Sequence, residues 1–228
     1  MHEDIAILRP LAAEYFCAAQ SEQNDRRRVL HRAVNDLKMI RPVVLIDEIP
    51  FHELNFDGSL TLQCQNEVFR AAEWFFRRQL FQWKHFPADM ILTPYYPVAK
   101  VYTSTGIGIE VEEETLAKDK NNNIISHRYI DKIATEEDLE RIKMPVLSYD
   151  EAATKQTFEQ LANAFGDLLP VKIVGHNSYL TMWDQISRYR GVTPLLMDLA
   201  MRPDFSHKVV KKFADIAMST SEQMEDLG

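Results

Sequence analysis

Three short stretches place polar side chains directly after apolar runs, where a strand end would present them. Asp47 and Glu48 close the run at residues 42–49, and His52 follows. Carboxylates there can hold a cationic group or take a proton as general base. Tyr95 and Tyr96 follow the run at 90–93, between Pro94 and Pro97. Phenols line aromatic pockets and donate hydrogen bonds. His176 and Asn177 follow Gly175 after the run at 171–174. An imidazole there serves as acid or base near neutral pH, the amide orients a small substrate, and Gly175 lets a backbone approach closely. The candidate catalytic residues are therefore His176, Glu48 and Asp47, and the candidate substrate-binding residues are Tyr95, Tyr96, Asn177 and His52. No metal ligand set is expected. Glu48 and His52 have helical spacing, but Pro50 lies between them and the region reads as loop, so the ligand-on-helix geometry is missing.

Composition bounds the partners. The 228 residues are 46% hydrophobic and 26% charged, an ordinary globular balance that buries a core without staples. The net charge of −8 argues against a broad nucleic-acid-binding surface, and Arg26, Arg27 and Arg28 read as the solvated start of a helix. Cys17 and Cys64 form neither a CxxC pair nor a zinc spacing, which fits a reduced, cytoplasmic compartment. The N-terminus carries early acids and no apolar signal core. No stretch approaches the ~20 apolar residues of a membrane span. The expected partner is a small-molecule substrate, with no nucleic acid and no membrane.

The elements that must position these groups follow from periodicity. Residues 10–20 and 25–39 read as helices, with Asn24 or Asp25 as cap of the second, and residues 1–40 as an N-terminal helical extension. Residues 42–49 read as a first buried strand, 65–84 as a helix with a broad apolar face, and 90–93 as a second strand. The two-proline, two-tyrosine exit after it is expected to end the ladder. Residues 106–113 and 124–130 read as an inserted β-hairpin, with Glu112, Glu113 and Glu114 on its solvated edge. A capping box opens a short helix at Thr135, a further helix runs from 148 to 165 and stops at Gly166, and 171–174 is the third core strand. Helices are expected over 183–189, from Thr193-Pro194, and from Pro203, with Val209, Val210, Phe213, Ile216 and Ala217 on the inner face of the last. Met182, Trp183, Phe75, Phe76, Phe81 and Trp83 read as core. Strands alternating with helices predict a parallel sheet.

The segment 133–145 (IATEEDLERIKMP), the third strand–helix unit, and the tail 190–203 (RGVTPLLMDLAMRP) resemble the uroporphyrinogen decarboxylase superfamily. The resemblance spans about residues 40 to 228 and rests on the order of elements more than on any single motif. It implies a (β/α)8 TIM-type barrel with chemistry at the C-terminal strand ends. In this chain that barrel is incomplete, with residues 41–228 as its N-terminal part and later strands expected beyond Gly228. The decarboxylase carries arginines after its first strand, whereas residues 47–53 hold three acids and no arginine. Tyr96 stands where the decarboxylase has an aspartate. These departures turn the expectation toward the superfamily's methyltransferases. The implied activity moves a methyl group between a small substrate or thiol and a corrinoid protein, with zinc held by residues beyond this sequence and no His-x-Cys motif within it. A homodimer is a further expected partner. Decarboxylation of a tetrapyrrole in porphyrin biosynthesis, and a non-catalytic partner-binding fragment with open sheet edges, are the alternatives.

Overall fold

A computed structural model describes residues 2–116, 125–175 and 180–228. The chain is mixed α/β. In order it forms α1 (His2–Ala19), α2 (Glu22–Asn35), α3 (Glu67–His85), β1 (Tyr96–Ala99), β2 (Tyr102–Ser104), β3 (Glu113–Leu116), β4 (Ser126–Tyr129), α4 (Glu136–Glu140), β5 (Leu147–Tyr149), α5 (Glu151–Phe165), β6 (Val171–Val174), α6 (Met182–Arg190), α7 (Val192–Met201) and α8 (Pro203–Asp226). Among the described residues the strands form three two-stranded sheets, so no closed barrel is present. Chain contacts divide the protein into a first unit, residues 1–99 with 152–174, and a second, residues 100–151 with 175–228.

In the first unit β1 and β6 pair in parallel, Tyr96 opposite Val171 and Val98 opposite Ile173. Helix α1 begins well before residue 10 and runs through Pro10. Proline costs a helix one internal bond, and here the stripe Leu8, Ala12, Tyr15 and Ala19 is buried against the rest of the core. The start of α1 is pinned by Asp4, which accepts from the N–H groups of Gln65 (3.2 Å) and Asn66 (3.0 Å). Asn66 in turn caps α3 through Val68 and Phe69. Arg9 grips Asp167 with two bonds of 2.8 and 2.7 Å, tying α1 to the end of α5. Thus residues 1–40 do not stand apart: α1 shares one core with α3, α5 and β1.

Two expected strands take no part in any ladder. Residues 42–49 and 90–93 are irregular, and for 90–93 the reason lies in α2. Ser21, not Asn24, caps that helix by accepting from the Asn24 N–H. The Asn24 side chain, fully buried, instead accepts from Leu92 N–H (2.9 Å) and donates to Leu92 carbonyl (2.9 Å). Arg27 and Arg28 donate to the carbonyls of Met90 and Leu92, and His31 Nε2 lies 2.7 Å from the Asp89 carbonyl. Side chains of one helix thus occupy polar backbone groups that a neighbouring strand would otherwise take. The ladder starts later, at Tyr96, and includes Pro97. In a parallel pair alternate residues bond to a given neighbour. Tyr96 makes such a bond to the Pro170 carbonyl (2.8 Å), so position 97 has no N–H to supply there.

In the second unit β2 pairs antiparallel with β5, and β3 with β4. The expected hairpin is present but its first arm begins at Glu113 rather than 106. Ile107 and Ile109 pack on a helical core of Ile133, Leu139, Ile142, Ile186, Leu195, Phe205, Val209, Phe213 and Ile216. Glu114 of the first arm pairs with Arg128 and Glu112, just before it, with Lys132, while a Glu113 carboxylate oxygen lies 3.1 Å from His127 Nδ1. The Thr135–Asp138 capping box forms as its spacing predicts. Buried Arg190 holds Asp131 and Asp198 together, and Gly191, at φ +80°, turns the chain from α6 into α7. The Gln223 side chain of α8 accepts from Leu147 N–H and donates to Pro145 carbonyl.

Candidate functional site

The sequence-predicted residues lie apart from one another in structural character. Asp47 and Glu48 are exposed on the irregular segment after Ile46. Neither forms an ion pair or hydrogen bond among the described residues, so both carboxylates are free to meet a ligand. His52 is exposed, its Nε2 3.5 Å from a Glu53 carboxylate oxygen. Tyr95 is half-buried, with the Lys172 ammonium 4.7 Å from its ring centre. No hydrogen bond or ring contact joins Asp47, Glu48 or His52 to either tyrosine among the described residues. His176 and Asn177 lie outside the described residues.

Tyr96 is placed differently from a strand-end residue. It opens β1 and is only 8% exposed. Its ring meets Phe75 and Phe76 of α3 at 5.0 and 5.5 Å and Phe165 of α5 at 5.6 Å. It therefore points to the helix side of the strand. Its hydroxyl makes no hydrogen bond among the described residues, and burial pushes the phenol up to about 12. At neutral pH it is a donor and never a base.

Around Tyr96 lies a groove that periodicity alone does not announce. One lobe, of about 330 Å³, is lined by Val68, Ala71, Tyr96, Val98 and Leu161 among others. A second, of about 520 Å³, is lined by Leu62, Arg70, Ala71, Trp74, Phe75 and Tyr96. Glu67, Ala71 and Tyr96 belong to both lobes. The small Ala71 leaves the depression, and Trp74 borders it from the exposed face of α3. The one sequence signal is Trp74 itself, an aromatic residue outside the helix's apolar stripe. Arg78 stacks on it at 3.8 Å and on Phe51 at 4.6 Å, and the loss of solvent lowers its guanidinium pKa.

The remaining buried charges hold the fold. Glu73, fully buried, accepts from Gln63 and Cys64 N–H groups and from Arg77. Burial raises its carboxyl, but those donors outweigh it and the net direction is down. Burial first, and then the Glu73 carboxylate, push the Cys64 thiol up to about 12, so it is no nucleophile near neutral pH. Among the described residues no group of three His, Cys, Asp or Glu side chains is arranged to hold a metal ion, and no helix is long and apolar enough to cross a membrane. No family model, curated protein or solved structure matches the chain.

Proposed function

We propose that the chain is part of a β/α-barrel enzyme resembling the uroporphyrinogen decarboxylase superfamily, and that it moves a methyl group between a small substrate or thiol and a corrinoid protein. Asp47 and Glu48 carry the reading. They are two exposed carboxylates, unpaired among the described residues, in a stretch without arginine. Such a stretch repels a substrate rich in carboxylates and suits a cationic methyl donor, or a thiol whose proton must be taken up. The parallel β1–β6 pair, with α5 leading into β6, supports the β/α architecture. Among the described residues no zinc site is composed, and no step is assigned to zinc.

The test is methyl transfer from methylcob(III)alamin to a thiol. The thiolate takes CH3⁺, the cobalt–carbon bond breaks heterolytically, and cob(I)alamin is released and read by absorbance. Asp47→Asn with Glu48→Gln is expected to lower the rate at least tenfold, within the usual reach of general base catalysis. Conversion of uroporphyrinogen instead, followed by chromatography, would replace this reading with the decarboxylase. A second reading, a non-catalytic partner-binding protein, draws on the exposed apolar residues Val44, Leu45 and Ile46. It predicts self-association in sedimentation velocity; a monomer with a cooperative melt would count against it.

A further inference from the structure

We propose that the groove at Tyr96 is a binding site for an uncharged, flat heteroaromatic molecule that accepts a hydrogen bond from the Tyr96 hydroxyl. This does not rest on the methyl-transfer reading, which places its chemistry at Asp47 and Glu48. Three observations point to such a ligand. Tyr96 is mostly buried among aromatic rings, yet its hydroxyl has no protein partner among the described residues and is not one of their sealed polar atoms, so it remains reachable from outside the core. A phenol O–H without a protein partner is free to donate to an acceptor placed beside it. The walls are aromatic and aliphatic: Trp74, Phe75, Val68, Leu62 and Leu161. That lining matches sites that take a ring and fix it by few polar groups. The rim carries one charge of each sign, Glu67 and Arg70, so neither an anion nor a cation is favoured there. Each lobe lies in the volume range of small-molecule pockets.

A matched pair of probes isolates the hydroxyl. Naphthalene and quinoline have nearly the same shape, and at pH 8 quinoline is uncharged and adds a single ring-nitrogen acceptor. Binding to the full chain is followed by the indole N–H resonance of Trp74, assigned by comparison with Trp74→Phe. Quinoline is expected to bind about threefold to tenfold more tightly than naphthalene, the range of one neutral hydrogen bond. Tyr96→Phe keeps the ring among Phe75, Phe76 and Phe165 and should abolish that preference while leaving naphthalene affinity unchanged. Ala71→Leu, which fills the depression from an exposed helix position, should weaken both probes. Equal affinity of the two probes for the unaltered protein overturns the proposal. So does a quinoline preference that survives Tyr96→Phe, or the absence of any shift at Trp74.

Discussion

Two segments of the first unit, 43–46 and 89–92, each carry a short apolar run and end in opposite environments. Leu92 is fully buried, while Leu45 remains 52% exposed. The runs are neighbours: Asp89 N–H donates to the Val44 carbonyl and the Asp89 carboxylate accepts from Val44 N–H, both at 2.9 Å. The difference is what stands on the far side. The run at 89–92 has α2, whose Asn24, Arg27, Arg28 and His31 reach its backbone. The run at 43–46 meets the rest of its unit through Asp89, Arg41 and Gln82. Apolar content fixes which residues gain from burial; a second partner decides whether they obtain it.

The sharpest break of this contrast is Leu92→Ala. The side chain is sealed, and truncation leaves a cavity costing about 2–5 kcal/mol, to be read by urea unfolding with the fluorescence of Trp74 and Trp83. Next is Asn24→Ala, which strips the Leu92 N–H of its acceptor inside the core. We expect a loss of about 1–3 kcal/mol, and faster amide exchange at Leu92 than elsewhere in the unit. A loss without that local exchange would mean Asn24 acts through its bond to the Ala19 carbonyl at the end of α1 rather than by standing in for a strand.

That substitution is also where sequence reading runs out. The helices follow from their 3.6-residue stripes, and α3, α5, α6 and α8 lie where periodicity puts them. The Thr135 capping box and β6 are local signals and were legible as such. The edge at Leu92 was not, because an Asn beside Ser21 reads as a helix cap, and only the folded chain shows its amide turned onto a segment 68 residues away. Pro97 hid β1 for a related reason: a proline forbids a ladder bond at its own position, not at its neighbours. For the candidate site, the acids at 47 and 48 follow an apolar run as read from the sequence, but the buried strand expected to present them is irregular and exposed. The Tyr96 groove depends on Ala71 and Leu161 arriving from separate helices, which no local pattern encodes.

Acid tests the link between the two runs. Hydrogen bonds from Arg41, at 2.6 and 2.7 Å, and from Val44 N–H hold the Asp89 carboxyl far below the usual carboxylate range, against a smaller opposing push from burial. Its folded pKa lies below its unfolded value, so its contribution is fully present above about pH 4. It is lost as the pH falls through the folded pKa. Asp89→Asn should lower stability at neutral pH and flatten the acid limb of a stability–pH profile. An unchanged acid limb would assign that limb to other depressed carboxyls, such as Asp4 and Glu73.

The smallest expected effect is the most discriminating. Leu45→Ala removes as many methyl groups as Leu92→Ala, from a residue half open to water. Exposed positions of this kind change stability by within about 0.5 kcal/mol, against several for the buried leucine. The pair therefore separates hydrophobic content from hydrophobic burial within one unit, at constant chemistry. If Leu45→Ala instead costs as much as Leu92→Ala, the run at 43–46 is covered in solution by something beyond the described contacts. Repeating the measurement across a hundredfold range of protein concentration then decides what. A cost that grows with concentration places a second copy of the chain on that run, because association stabilises only the folded state it binds. A cost that stays constant places the cover within the same molecule.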